Sequence, residues 1–236
     1  MMSKNKKIIG ILAGVLVVGL GFLGWYQGYY FNPDKHLYNQ IKNRPDLLEE
    51  YNKAMADEKR LAENPNQPDY IFDEGLAWKS IGELGGGNDF FQRSLATYEQ
   101  GIARYGNTNI LFYLNGGNVA ERLGDLAKAE QYYRKAMELS PGDESGYFDL
   151  VELYSYKLKK PEADILQIFN SALEKVVDPT QIIYERGTYL RRIGDNVNAL
   201  KDYQILVEKF PNRPGYKQIV EELQSKIAAQ NSGQTK

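Results

Sequence analysis

The sequence predicts an all-α protein: a helix-turn-helix solenoid preceded by a single transmembrane helix. Three observations carry that expectation. An uncharged apolar run lies near the N-terminus, from Ile8 to Phe31. A pattern of glycine, six residues, glycine and an acid recurs three times downstream. The two clearest copies are followed by an amphipathic stretch that stops at a proline, Pro141 or Pro211.

Composition narrows the function classes. The net charge is −2, with no basic footprint for nucleic acid. The chain has no cysteine, which excludes disulfides, thiolate metal sites and cysteine nucleophiles. His36 is the single histidine, so histidine-based metal sites and most acid–base sites lack their partners. Paired carboxylates such as Glu49 and Glu50, or Glu221 and Glu222, read as surface charges on helices. No nucleophile–base pair or metal-ligand set is visible. The expectation is therefore no catalytic residues, no metal, no cofactor and no enzyme.

The run IIGILAGVLVVGLGFLGWYQGYYF, residues 8–31, would span about 36 Å as a helix, enough for a bilayer core. Trp25, Tyr26, Tyr29 and Tyr30 cluster at its far end, where amphipathic rings favour the interface. A cleaved signal peptide would have a shorter apolar core and a small-residue cleavage site, and bulky aromatics stand there instead. Lys4, Lys6 and Lys7 precede the run. They orient residues 1–7 to the cytoplasm and everything after the span to the other side. Gly10 and Gly14, like Gly24 and Gly28, have a spacing that permits close helix packing and a possible homodimer.

Residues 34–68 read as a linker with N-terminal capping helices, one of them from Leu47 to Glu63. The repeating array covers 69–213. DEGLAWKSIGE (Asp73 to Glu83), NGGNVAERLGD (Asn115 to Asp125) and ERGTYLRRIGD (Glu185 to Asp195) align. The first glycine of each, Gly75, Gly117 and Gly187, costs about 1 kcal/mol inside a helix, which a close helix–helix approach would justify. The second, Gly82, Gly124 and Gly194, should end its helix in a left-handed conformation. LAKAEQYYRKAMELSP (Leu126 to Pro141) and NALKDYQILVEKFP (Asn198 to Pro211) supply the second helices, with Ala129, Tyr133 and Ala136 on one face of the first. A middle copy begins near Glu144. It lacks both glycines and holds about two extra residues near 159–161. The eight extra residues of the first copy fall in GELGGGND (Gly82 to Asp89), expected to be a flexible insertion in which Gly86 tolerates a side chain. Residues 214–229 read as a C-terminal capping helix and 230–236 as a disordered tail.

These features resemble the tetratricopeptide repeat (TPR) family, built of 34-residue helix-turn-helix units with small residues, an aromatic and a closing proline at fixed places. The resemblance implies about four repeats whose first helices line a groove for other proteins. The family's groove-facing places are the second, fifth, ninth, twelfth and thirteenth of each repeat. The fifth holds Phe72, Leu114, Phe148 and Tyr184. The ninth holds Leu76, Asn118, Glu152 and Thr188. The twelfth holds Lys79, Glu121, Ser155 and Arg191. The family's two-carboxylate clamp for chaperone C-termini is not expected, because Leu114 and Phe72 stand where its lysine belongs. In layout the chain is similar to bacterial single-pass TPR proteins of secretion and envelope-assembly machines. That similarity implies a membrane-anchored interaction scaffold or chaperone-like subunit in the inner membrane. A homo-oligomeric structural membrane protein is the alternative.

Overall fold

The computed structural model describes residues 33–233. The expected cytoplasmic N-terminus (1–7) and transmembrane span (8–31) lie outside the described residues. Among the described residues no helix is long and apolar enough to cross a membrane, and every regular element is a helix. The chain divides into two compact units, one ending at Thr97 and the other beginning at Tyr98.

The first unit contains α1 (Pro33–Ile41), α2 (Pro45–Glu63), α3 (Pro68–Ile81) and the start of α4 (Asn88–Tyr105). Pro45 and Pro68 open α2 and α3, where the missing N–H has no intrahelical partner to lose. Leu47, Tyr51, Ala54 and Leu61 fall on one stripe of α2 and are buried. Most of that stripe closes on Trp78, Ile81 and Phe90, with Leu37 and Ile41 completing the core. Trp78 is fully enclosed, and Tyr51 meets it edge-on at 5.7 Å between ring centroids. Glu74 is buried among these apolar groups. Its carboxylate accepts hydrogen bonds from Trp78 Nε1 at 3.2 Å and Thr97 Oγ1 at 3.1 Å.

Two expectations about the glycine-rich segment are corrected here. Gly82 does not end a helix in the left-handed region; it is right-handed helical, with φ −58°. The Phe91 ring lies so close that a Cβ on Gly82 would come within 2.8 Å of it. The helical path runs past Gly82 into a π-helical turn, Gly82–Gly86, and kinks inside it at Gly85 (φ +93°), with a second positive φ at Gly87 (φ +105°). Gly86 is not an open loop position either. A Cβ there would meet Ile81 Cγ2 at 2.7 Å and the Ile81 carbonyl oxygen at 2.8 Å. The segment is packed at Gly82 and Gly86, while Glu83, Leu84, Gly85 and Gly87 between and after them are exposed.

The second unit holds the rest of α4 and three hairpins: α5 (Leu111–Arg122) with α6 (Leu126–Leu139), α7 (Ser145–Glu152) with α8 (Glu162–Lys175), and α9 (Thr180–Ile193) with α10 (Asn196–Lys209). The first and third share one turn. Gly124 and Gly194 are left-handed, at φ +81° and +86°. The following N–H groups reach back to the Ala120 and Leu190 carbonyls at 2.9 and 3.0 Å, closing the helix end. Asp125 and Asp195 then cap the next helix, each accepting from a backbone N–H three residues on at 3.1 Å. Inside these hairpins the first-helix glycines admit an aromatic ring. A Cβ on Gly117 would come within 2.5 Å of Tyr133, and one on Gly187 within 3.1 Å of Tyr203.

The middle hairpin differs. Val151 stands where its neighbours have Gly117 and Gly187, in a helix with no left-handed glycine to end it. A π-helical turn, Leu153–Lys157, extends α7 instead, and Lys159 takes the left-handed turn at φ +49°. The two additional residues are absorbed in that turn. The C-terminal helix α11 runs over Pro214–Gly233. It buries Leu223 against Leu190, Tyr203 and Leu206. Residues 230–233, expected to be disordered, are its last turn.

Candidate functional site

The first helices of adjacent hairpins, α7 and α9, lie side by side and leave a groove of about 430 Å³ between them. Phe148, Val151, Glu152, Ser155 and Tyr156 come from α7 and its π-helical turn. Gln181, Glu185, Thr188, Tyr189 and Arg192 come from α9, and Phe169 of α8 forms the floor. Phe169 is buried and packs on Tyr189 at 5.8 Å between centroids. Its place in the repeat matches that of Tyr133 and Tyr203, but it meets no glycine. The continuation of α7 into the π-helical turn carries Ser155 and Tyr156 onto the groove wall.

The groove combines ring surface with opposed charges. Tyr156 is 61% exposed, a large apolar surface left open to solvent. The Arg192 guanidinium lies 5.0 Å from the centroids of both the Tyr156 and the Tyr189 ring, a cation held between two aromatic faces. Glu152 is exposed, and the Glu185 carboxylate accepts from Gln181 Nε2 at 2.9 Å. Thr188 shares a 2.9 Å hydrogen bond with the Tyr203 hydroxyl. Ser155 Oγ is enclosed and has no hydrogen-bond partner among the described residues. Such a surface can bind a chain segment: rings supply contact area at low entropic cost, and the charges orient it.

Four residues expected at the groove line it: Phe148, Glu152, Ser155 and Thr188. Others in the second unit do different work. Leu114 is buried in the core of the α5–α8 hairpins. Glu121 accepts from the Tyr133 hydroxyl at 2.6 Å, and burial together with that carboxylate pushes the phenol well above its ordinary pKa. Asn118 is half-buried, its Oδ1 without a partner among the described residues. Arg191 pairs with Glu222 of α11 at 3.0 Å and lies over the Tyr203 ring. Tyr184 is corrected as an open groove anchor. Its ring packs edge-on against Tyr203 and tilted against Tyr216, 6.2 Å from each, because α11 covers that side of α9. Phe72, Leu76 and Lys79 lie on α3 in the first unit. Leu76 is 41% exposed, and Lys79 pairs with Glu83 at 3.8 Å.

Sequence reasoning left out Tyr156 and Arg192, the pair that joins the two walls. The signal was present: both occupy the thirteenth place of their repeats, a groove-facing place that was named without its residues being assigned. Gln181 stands at a second place, a groove-facing place likewise left without assigned residues.

Residues 112–143, the α5–α6 hairpin and its following turn, match the family model described as the tetratricopeptide repeat. No match emerges among the curated proteins. Among solved structures the chain is similar to YrrB, reported as a TPR protein with an unusual peptide-binding site. Identity is 19%, coverage 74% of this chain and 85% of that one, and the TM-score 0.49. MamA is similar at 15% identity, covering 75% and 89%, with a TM-score of 0.49. TTC0263, a thermophilic TPR protein in Thermus thermophilus, is similar at 15% identity, covering 80% and 98%, with a TM-score of 0.49.

Proposed function

We propose that this protein, with its tetratricopeptide repeat at 112–143, is a membrane-anchored interaction scaffold. It captures a segment of another protein in the α7–α9 groove and works by binding rather than catalysis. The observation that carries the proposal is the groove itself, where Tyr156 stands 61% exposed beside buried Phe169 and the Arg192 cation. An exposed ring beside a guanidinium cation offers contact area that a segment of another protein can cover. Residues 8–31 serve as the anchor, with 1–7 in the cytoplasm and the repeats on the far side of a bacterial inner membrane. The role that fits is a subunit or chaperone-like factor of a cell-envelope assembly. The paired glycines at 10 and 14, and at 24 and 28, favour self-association of the anchor as a second reading.

Site-specific photo-crosslinking in native membranes tests the capture. A photoreactive residue at Tyr156 is expected to yield an adduct with another protein. The same residue at Val197, which is 52% exposed on α10 and outside the groove, is expected to yield none. Equal adducts at both positions, or adducts at Val197 alone, would exclude the groove as the site. Adducts consisting only of this chain would favour the self-associating alternative. Orientation is checked by adding protease to spheroplasts: the repeats should be digested with the inner membrane intact, and protection would reverse the topology.

A further inference from the structure

We infer that the α7–α9 groove selects an extended segment carrying a basic residue and an acidic residue about three positions apart, with an apolar residue between them, and binds it in one direction. This rests on the proposed capture role and adds the chemistry of the captured segment.

The charges of the groove are separated along its length. Tyr156 and Arg192 mark one level, since the guanidinium lies over that ring. Glu185 is seven residues before Arg192 on the same helix, about 10 Å away along its axis. Glu152 is one turn before Tyr156 on the facing helix. One end of the groove therefore presents two carboxylates on opposite walls, Glu152 and Glu185. The other presents the Arg192 guanidinium, and among the described residues no ion pair within 4.0 Å neutralises it. Between Glu185 and Arg192 lies Tyr189, with the Phe169 ring packed on it at 5.8 Å between centroids. Lys79, Arg186 and Arg191 are engaged elsewhere, with Glu83, Asp202 and Glu222.

A ligand complementary to this arrangement places a cation between Glu152 and Glu185, an apolar side chain over the rings, and a carboxylate on Arg192. Its planar fork of donors is already held flat by two tyrosines. At about 3.3 Å per residue, a separation of about 10 Å corresponds to three residues of extended chain.

The test uses the full chain in detergent and three fluorescein-labelled peptide pools, read by fluorescence anisotropy. The first pool fixes Lys, then Leu, then Glu, with Lys and Glu three positions apart and other positions mixed. The second reverses Lys and Glu, and the third has Gln at both. One of the two charged pools should bind at least tenfold tighter than the Gln pool and at least threefold tighter than its reverse. The preference should shrink in 0.5 M salt. E152Q with E185Q should erase the advantage of Lys alone, and R192Q the advantage of Glu alone, with circular dichroism confirming folded protein. Equal binding of all pools, lost in Y156A, would overturn the charge selection and leave the groove as the capture site. Binding unaffected by Y156A, or no binding of any pool, would overturn both.

Discussion

Adding one carbon at residue 117 tests how a repeat locks together. In Gly117→Ala the new Cβ would lie 2.5 Å from Tyr133 Cε1 and 2.9 Å from Cδ1. Carbon atoms pack at about 3.5–4.0 Å, so the ring must withdraw by about 1 Å. It has little room to do so. Tyr133 is 1% exposed, and its hydroxyl is held by Glu121 at 2.6 Å. Overpacking of this kind costs about 1–3 kcal/mol. Alanine recovers about 1 kcal/mol of helix propensity over glycine, so the single variant falls between neutral and about 2 kcal/mol less stable. The pairwise term discriminates better. In a Tyr133→Ala background the obstruction is gone, and Gly117→Ala should stabilise by about 1 kcal/mol. The cycle should therefore return a coupling of about 1–3 kcal/mol. Urea unfolding of the full chain is followed by far-ultraviolet circular dichroism, because both tryptophans, Trp25 and Trp78, precede the second unit. Gly215→Ala is the control: nothing lies within 4 Å of its Cβ position, so it should stabilise by about 0.4–1 kcal/mol. A coupling below about 0.5 kcal/mol, as for independent sites, would refute the locking role of Gly117.

Three further outcomes are expected. Tyr184→Ala should cost about 2 kcal/mol of stability through its lost contacts with Tyr203 and Tyr216, whereas Tyr156→Ala should leave the melting temperature nearly unchanged; equal losses would contradict their different placements. Arg186→Leu should cost about 3 kcal/mol. Asp202 is 1% exposed and accepts two hydrogen bonds from that guanidinium, at 2.9 and 2.6 Å, so it would be left charged and unpaired; a urea midpoint within error of the parent would sink this assignment. Burial raises the Glu74 carboxyl above its ordinary value of 4.5, with Glu58 adding to the shift and the Trp78 and Thr97 hydrogen bonds opposing it. A carboxyl raised in the fold binds its proton more tightly there, so stability of the first unit should fall as pH rises from 4.5 through the folded value, then level off. Glu74→Gln should flatten that slope in Trp78 fluorescence, measured in a Trp25→Phe background; an unchanged slope would assign it to other groups.

The parts of the fold legible in the sequence were those where local chemistry and packing agree. Gly124 and Gly194 were readable because a left-handed helix end favours glycine, and the aspartate after each is a natural cap. Gly117 and Gly187 were readable from their shared register with an aromatic on the following helix. Gly82 looked identical and behaves otherwise, because Phe91 presses on it and the helix runs on. That contact depends on how α4 returns after an insertion, which spacing does not encode. At the site, the fifth place was weighted by its aromatic residues. For Tyr184 this failed because Tyr216, outside the repeat pattern, covers it. Tyr156 reaches the groove through a π-helical turn that replaces an absent glycine, a continuation of the helix that residue spacing does not encode.

The contrast between Gly117 and Gly187 on one side and Val151 on the other separates two kinds of freedom to vary. In the flanking hairpins the ring and the glycine fill one another, and a change at either position has to be answered by the other. Variation there is tied to the integrity of the hairpin. In the middle hairpin no such pair exists, and Val151, Phe169 and the turn through Tyr156 border open volume. The exposed side chains there, Glu152 and Tyr156, can change in size and charge with no reciprocal change across a closed contact. Ligand preference is thus free to drift in the copy that departs furthest from the pattern, while its two regular neighbours hold the frame constant.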